Sequence, residues 1–120
     1  MDIKQSRSDG ILVLKLIGDL DGRTAPEVQS RILEVLPSDE RVLLDLSGLG
    51  VLTSAGLRTM LLVYRQAQSR NSTVGLVGLS EELHGVLAAT GFLAFFVVSD
   101  SVDDALAELA EVPVERTGAR

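Results

Sequence analysis

Asp45-Leu46-Ser47-Gly48-Leu49-Gly50-Val51-Leu52-Thr53-Ser54-Ala55-Gly56-Leu57-Arg58 is the stretch on which the fold turns. Just upstream and running into it, Arg41 to Leu46 contains Val42-Leu43-Leu44, too short for a helix and too apolar for a sheet edge, hence a buried strand. Downstream, residues 54 to 69 read as a helix. The glycine-bearing segment between them reads as a strand-to-helix loop. In an α/β sheet such a loop lies at the carboxyl edge of the strands, where functional groups are exposed, and it puts the Thr53 and Ser54 hydroxyls at a helix N-terminus on the surface.

The same alternation continues on both sides. Towards the N-terminus, Ile11-Leu12-Val13-Leu14-Lys15-Leu16-Ile17, bracketed by Gly10 and Gly18, is a nearly unbroken apolar run of the interior-strand kind. Residues 2 to 7 are polar and alternating, and Ser8-Asp9-Gly10 separates the two runs, so they predict a hairpin whose first strand is a sheet edge. Thr24-Ala25-Pro26-Glu27 predicts a helix start, with Thr24 as N-cap, a proline in the first turn and an acid at the third position. That helix runs to about Leu36, with Val28, Ile32, Val35 and Leu36 on its sheet-facing side, and Pro37 ends it. Towards the C-terminus, strands are expected at 73–77 and 95–98 and helices at about 80–90 and 102–111. Residues 112 to 120 show no periodicity and read as a flexible tail. Strands alternating with helices imply βαβ units with right-handed crossovers. The expected fold is therefore α/β: one domain over residues 1–111, with a mixed, mostly parallel sheet of four to five strands, about four helices and an N-terminal hairpin.

Composition narrows the function. At 120 residues the chain makes one domain, burying roughly two thirds of its unfolded surface. It has no cysteine, which excludes a disulfide scaffold, a thiolate metal site and a thiol nucleophile. A net charge of -6 without a Lys/Arg cluster, and only three Phe and one Tyr, argue against nucleic acid as a partner. No apolar run reaches the ~20 residues of a membrane span and the first residues lack the layout of a signal peptide, so a soluble, cytoplasmic protein without membrane insertion is expected.

Familiar chemistries fail on the residues. Gly48-Leu49-Gly50 lacks the third glycine of a dinucleotide fingerprint, since Thr53 stands there, and no Gly-Lys-Ser or Gly-Lys-Thr follows for a P-loop. His84 is the only histidine, no serine sits in a nucleophile elbow, and one imidazole makes no metal site. The pairs Glu81-Glu82 and Asp103-Asp104 sit near helix starts, where the dipole favours acids. No catalytic residue, cofactor or metal is therefore expected. At Thr53 and Ser54 two roles stay open: a hydroxyl that caps the helix, or a phosphate acceptor at a helix end whose free N–H groups tolerate an added dianion.

Two motifs in register then carry a resemblance. Leu44-Asp45-Leu46-Ser47 followed by Thr53-Ser54-Ala55-Gly56-Leu57-Arg58 resembles the phosphorylation loop of STAS-domain anti-sigma-factor antagonists. Gly18-Asp19-Leu20-Asp21 with Thr24-Ala25-Pro26 resembles that family's stretch between second strand and first helix. The resemblance covers about residues 3 to 110. It implies that Ser54 is the phosphorylated serine, with Thr53, standing where many members carry an acid, as a lesser acceptor. Ala55 replaces a second serine found in many members. It further implies that the unphosphorylated protein binds an anti-sigma factor that is also a serine kinase, that phosphorylation releases it, and that a serine phosphatase resets the switch. The implied partner face comprises Asp19, Leu20, Asp21, Thr24, Ser47, Thr53, Ser54, Ala55, Gly56 and Arg58, with Leu52 and Leu57 as apolar additions. Exposed phenylalanines in Phe92-Leu93-Ala94-Phe95-Phe96 would mark a further patch. A monomer and a weak dimer fit equally. The rival readings are a non-switching STAS subunit of a signalling or lipid-transport assembly, in which Ser54 is only a cap, and a small enzyme or nucleotide-binding protein using the segment from Gly48 to Gly56.

Overall fold

The computed structural model describes residues 1–36 and 41–111. The elements follow in the order β1 (Asp2–Ser8), β2 (Ile11–Leu20), α1 (Ala25–Val35), β3 (Arg41–Leu52), α2 (Ser54–Ser69), β4 (Thr73–Val77), α3 (Glu81–Thr90), a 3-10 turn (Phe92–Phe95), β5 (Val97–Ser99) and α4 (Val102–Glu111). The stop expected at Pro37 and the tail expected at 112–120 lie outside the described residues.

One sheet of five strands stands in sequence order, β1-β2-β3-β4-β5. β1 pairs antiparallel with β2, from Asp2 opposite Ile17 to Ser8 opposite Ile11, and the remaining neighbours are parallel. Asp9 and Gly10 both take positive φ, 54° and 78°, which matches the twist of the hairpin they close. The expected α/β fold with an N-terminal hairpin and four helices is the one observed.

Sequential strand order with right-handed crossovers forces every crossover helix onto one face. The core has that form. Leu12, Leu14, Leu16, Val42, Leu44, Leu46, Val74 and Leu76 point to the side where Val28 and Ile32 of α1, Met60, Val63 and Ala67 of α2 and Leu87 of α3 close over them. Among the described residues the other face is covered by α4 alone, whose Ala105, Leu106 and Leu109 pack on Ile11, Val13, Leu43 and Val77. Gly75 lets α4 come close: a Cβ there would stand 3.1 Å from Leu109 Cδ1. Interior strands buried on both faces explain their unbroken apolar runs.

Three sequence expectations are corrected. β2 and β3 extend to Leu20 and Leu52, so the segment expected to be a glycine loop is strand. The last strand begins at Val97, because Phe95 belongs to the 3-10 turn that precedes it. Val35, at the end of α1, is only half-buried.

Candidate functional site

The carboxyl ends of β2 and β3 reach past the rest of the sheet and carry the site. Their pairing continues through Ile17–Gly48, Gly18–Leu49 and Leu20–Leu52, with register shifts between Lys15 and Ile17 and between Gly18 and Leu20. The two strand glycines permit this. A Cβ at Gly48 would lie 3.0 Å from Ile17 Cγ1, and one at Gly50 would run into the Asp19 carboxylate. That carboxylate sits over Gly50 because its Oδ1 accepts a 2.9 Å hydrogen bond from Val51 N–H, standing in for a ladder partner lost at the bulge.

The chain then turns into α1 through a knot built on Asp21. Asp21 Oδ1 accepts from the backbone N–H of Arg23 at 2.9 Å and of Thr24 at 3.2 Å. These two donors hold the Asp21 carboxyl below the ordinary carboxylate range, the Arg23 amide contributing most. Thr24 is not the side-chain cap expected of it. Its backbone is already helical, and its hydroxyl donates 2.7 Å to the Asp19 carbonyl and accepts 3.0 Å from Asp21 N–H, tying the knot back to β2. Arg23, 88% exposed in its side chain, lies 3.7 Å from Asp21, a surface pair worth little in water.

At the start of α2 the two hydroxyls part company. Thr53 is the N-cap: extended backbone, Oγ1 accepting from Gly56 N–H at 3.4 Å, and its own N–H donating 3.1 Å to the Leu20 carbonyl. Ser54 is the first helical residue, exposed, with no hydrogen-bond partner for its hydroxyl among the described residues. Gly56 is buried where α2 crosses β2, and any Cβ there would meet the Leu20 carbonyl and come within 2.8 Å of Leu52 Cδ1. The glycine is there for close approach, and so the motif residues serve packing and exposure in alternation.

The other expected contact residues fall into two groups. Asp19, Ser47 and Arg58 are exposed on the same end of the molecule as Ser54, and Ala55 is half-buried beside Gly22. Asp45 accepts from Ser47 N–H at 3.0 Å and shapes the strand beneath. Leu20 is 1% exposed, so its side chain belongs to the core and only its carbonyl serves the site. Leu52 and Leu57 are half-buried against the same core.

One feature was missed in the sequence. A shallow groove of about 110 Å³ runs between the end of β3 and the start of α3, lined by Gly50, Val51, Leu52, Ser80, Glu82, Leu83 and Val86. Val51 and Val86 are 54% and 40% exposed. Reading residues 47–53 as a loop hid Val51's place on a strand facing α3. Among the described residues no group of three or more His, Asp or Glu is placed to hold a metal ion, and no helix is long and apolar enough to cross a membrane.

Fold and site together define a small α/β domain that presents a free serine hydroxyl at a helix N-terminus, beyond the carboxyl ends of its parallel strands. The chain belongs to the STAS domain family, whose model matches residues 2–105. It is 32% identical over 108 residues to BtrV of Bordetella bronchiseptica, which carries the name of an anti-sigma factor antagonist, covering 89% of this chain and 93% of that one. It is similar to the crystal structure of an anti-sigma factor antagonist from Mycobacterium paratuberculosis, at 25% identity and TM-score 0.82, with 92% and 94% of the two chains covered. The fold is also that of the Bacillus cell fate determinant SpoIIAA solved in its phosphorylated form, at 14% identity and TM-score 0.70, with 89% and 98% covered.

Proposed function

We propose that this chain is a cytoplasmic anti-sigma-factor antagonist that binds an anti-sigma factor with serine kinase activity, and so frees a sigma factor, until phosphorylation of Ser54 ends the binding. A serine phosphatase restores the binding form. The relatives' names support the antagonist class.

The observation that carries the switch is the division of labour at the start of α2. Thr53 takes the capping role, so the Ser54 hydroxyl is exposed, unbonded and available to a kinase. The first turn of α2 also has no acidic residue, unlike those of α1, α3 and α4. A dianion added at Ser54 meets the positive end of the helix dipole without a like charge in its own turn, and the fold survives the modification. Thr53 is the poorer acceptor, since phosphorylating it removes the cap. The contact face is built on Asp19, Asp21, Ser47, Ser54, Ala55 and Arg58, with Leu20, Thr24 and Gly56 holding it in shape.

A phosphate brings about -1.5 to -2 charges, and a hundredfold loss of affinity needs only about 2.7 kcal/mol. Desolvating that charge in an interface supplies this without a change of fold. The test is incubation with ATP, magnesium and a candidate anti-sigma kinase, followed by intact mass and site mapping. One phosphate on Ser54, absent from Ser54→Ala, is expected. Unmodified protein that holds the kinase stably yet never gains phosphate would instead make Ser54 a surface position on a constitutive STAS scaffold.

A further inference from the structure

The acids of this chain are unevenly placed. It carries 17 Asp and Glu, yet none occurs from Leu46 to Ser80 or from Leu83 to Ser99. The first of these stretches contains all of α2, whose charged residues are Arg58 and Arg65, with Arg70 at its C-cap. Arg58, Leu62 and Arg65 are spaced i, i+4 and i+7, so they share one face of the helix, and all three are exposed. Leu62 is 37% exposed. Neither Arg58 nor Arg65 has an ion-pair or hydrogen-bond partner among the described residues. About 100° round the helix from Arg65, on a flank of α2 away from this ridge, the half-buried Tyr64 stacks on Phe95 with ring centroids 4.6 Å apart, and Phe95 is 42% exposed. Two unpaired cations flanking an exposed leucine, with an exposed phenylalanine on the neighbouring flank, are out of keeping with a protein of net charge -6.

We propose that the outer ridge of α2, Arg58–Leu62–Arg65, together with the flank of the helix that carries the Tyr64–Phe95 stack, docks an acidic, apolar-anchored segment of the protein partner that wraps from one to the other. The proposal rests on the reading of Ser54 as the switch and names the partner chemistry that reading left open. Charge complementarity selects the occupant: the ridge is cationic and acid-free, so it attracts carboxylates, and the aromatic stack supplies the desolvated anchor on which interface energy concentrates. An anionic membrane is disfavoured, because two arginines do not outweigh the repulsion of the whole acidic chain. The ridge also explains release. Ser54 and Arg58 are four residues apart on α2, so a phosphate on Ser54 reaches the Arg58 guanidinium, removes the cationic end of the ridge and sets a dianion against the partner's acids.

The test measures the affinity of the whole chain for its anti-sigma kinase, by calorimetry, in wild type, Arg65→Glu, Arg65→Lys, Phe95→Ala, Lys4→Glu and Ser54-phosphorylated forms. Arg65→Glu is expected to weaken binding about tenfold, with weaker binding at higher salt, while Arg65→Lys and Lys4→Glu on the opposite sheet edge retain it. Phe95→Ala weakens it by a similar factor, and a cooperative melting transition well above the assay temperature in each variant keeps misfolding out of the comparison. Loss on phosphorylation with no effect of Arg65→Glu or Phe95→Ala overturns the ridge and leaves the switch standing. The reverse pattern keeps the ridge and overturns the switch. A kinase that fails to bind the wild type overturns both. Sedimentation of the chain alone as a dimer that Arg65→Glu dissociates, or Arg65-dependent cosedimentation with vesicles of about one third anionic lipid, would give the ridge to another occupant.

Discussion

Helices α2 and α3 begin in the same way and then diverge. Each follows a parallel strand and each is capped by a hydroxyl, Thr53 Oγ1 accepting from Gly56 N–H at 3.4 Å and Ser80 Oγ from Leu83 N–H at 3.1 Å. After the cap, α3 continues Glu81-Glu82, which places two carboxylates at the positive end of its dipole. α2 continues Ser54-Ala55-Gly56, with no acid and a free hydroxyl. The first start is built for stability. The second leaves the place of the acids open, as the proposed phosphate on Ser54 requires, and is held by tertiary contacts to Leu20.

That comparison breaks most visibly at the glycines. Gly56→Ala is expected to destabilise by about 1–3 kcal/mol, because its Cβ has no room between the Leu20 carbonyl and Leu52. Gly85→Ala in α3 meets nothing within 4 Å and should stabilise by about 0.5–1 kcal/mol. Urea denaturation of the two variants reads both signs, and equal effects would show that α2 does not depend on close approach. Next come the caps. Ser80→Ala and Thr53→Ala should each cost about 1 kcal/mol, with the larger loss at Ser80, whose bond is shorter. Ser54→Ala should change stability by less than about 0.5 kcal/mol, since an exposed, unbonded hydroxyl contributes little. A loss of 1 kcal/mol there would make Ser54 the working cap and remove the distinction between the two hydroxyls.

The smallest effect belongs to pH. Asp21's carboxyl is held below its ordinary 3.8 by the Arg23 and Thr24 amides. A group with a lowered folded-state pKa adds stability that is present above the unfolded value and fades as pH falls through the folded one. The knot before α1 should therefore persist through neutral and mildly acidic pH and loosen only below 3.8. A carbon-detected NMR titration of Asp21 with a midpoint above 3.8 would show that the amide bonds do not form in solution.

Most of the architecture was legible in the chain because periodicity and punctuation agreed. The apolar run of β2, the Asp9-Gly10 turn and the hydroxyls at the start of α2 each point to a single element. The Ser47–Leu52 segment was not legible. Glycines at 48 and 50 signal a loop locally, and only the facing strand, with Ile17 and Asp19 needing that space, makes them strand residues. Thr24 misled for a related reason: its sequence context is that of a cap, but Asp21 and Asp19 offer its hydroxyl nearer partners. The motif placed both hydroxyls at the start of α2, whereas the assignment of Thr53 to capping and Ser54 to exposure needed the helix register. Leu20 reads as a contact residue in the motif and is a core residue in three dimensions.

Phosphate on Ser54 is proposed to act at the surface and to leave the fold alone. The most direct test is the affinity of the anti-sigma kinase for the chain with and without phosphoserine at position 54, measured alongside amide NMR spectra of both forms. Binding about a hundredfold weaker, equivalent to about 2.7 kcal/mol, is expected for the phosphorylated form, with shift changes confined to the start of α2, the Asp21 knot and the end of β3. Equal affinity of the two forms, or shifts spread through α2 and the sheet, would contradict it.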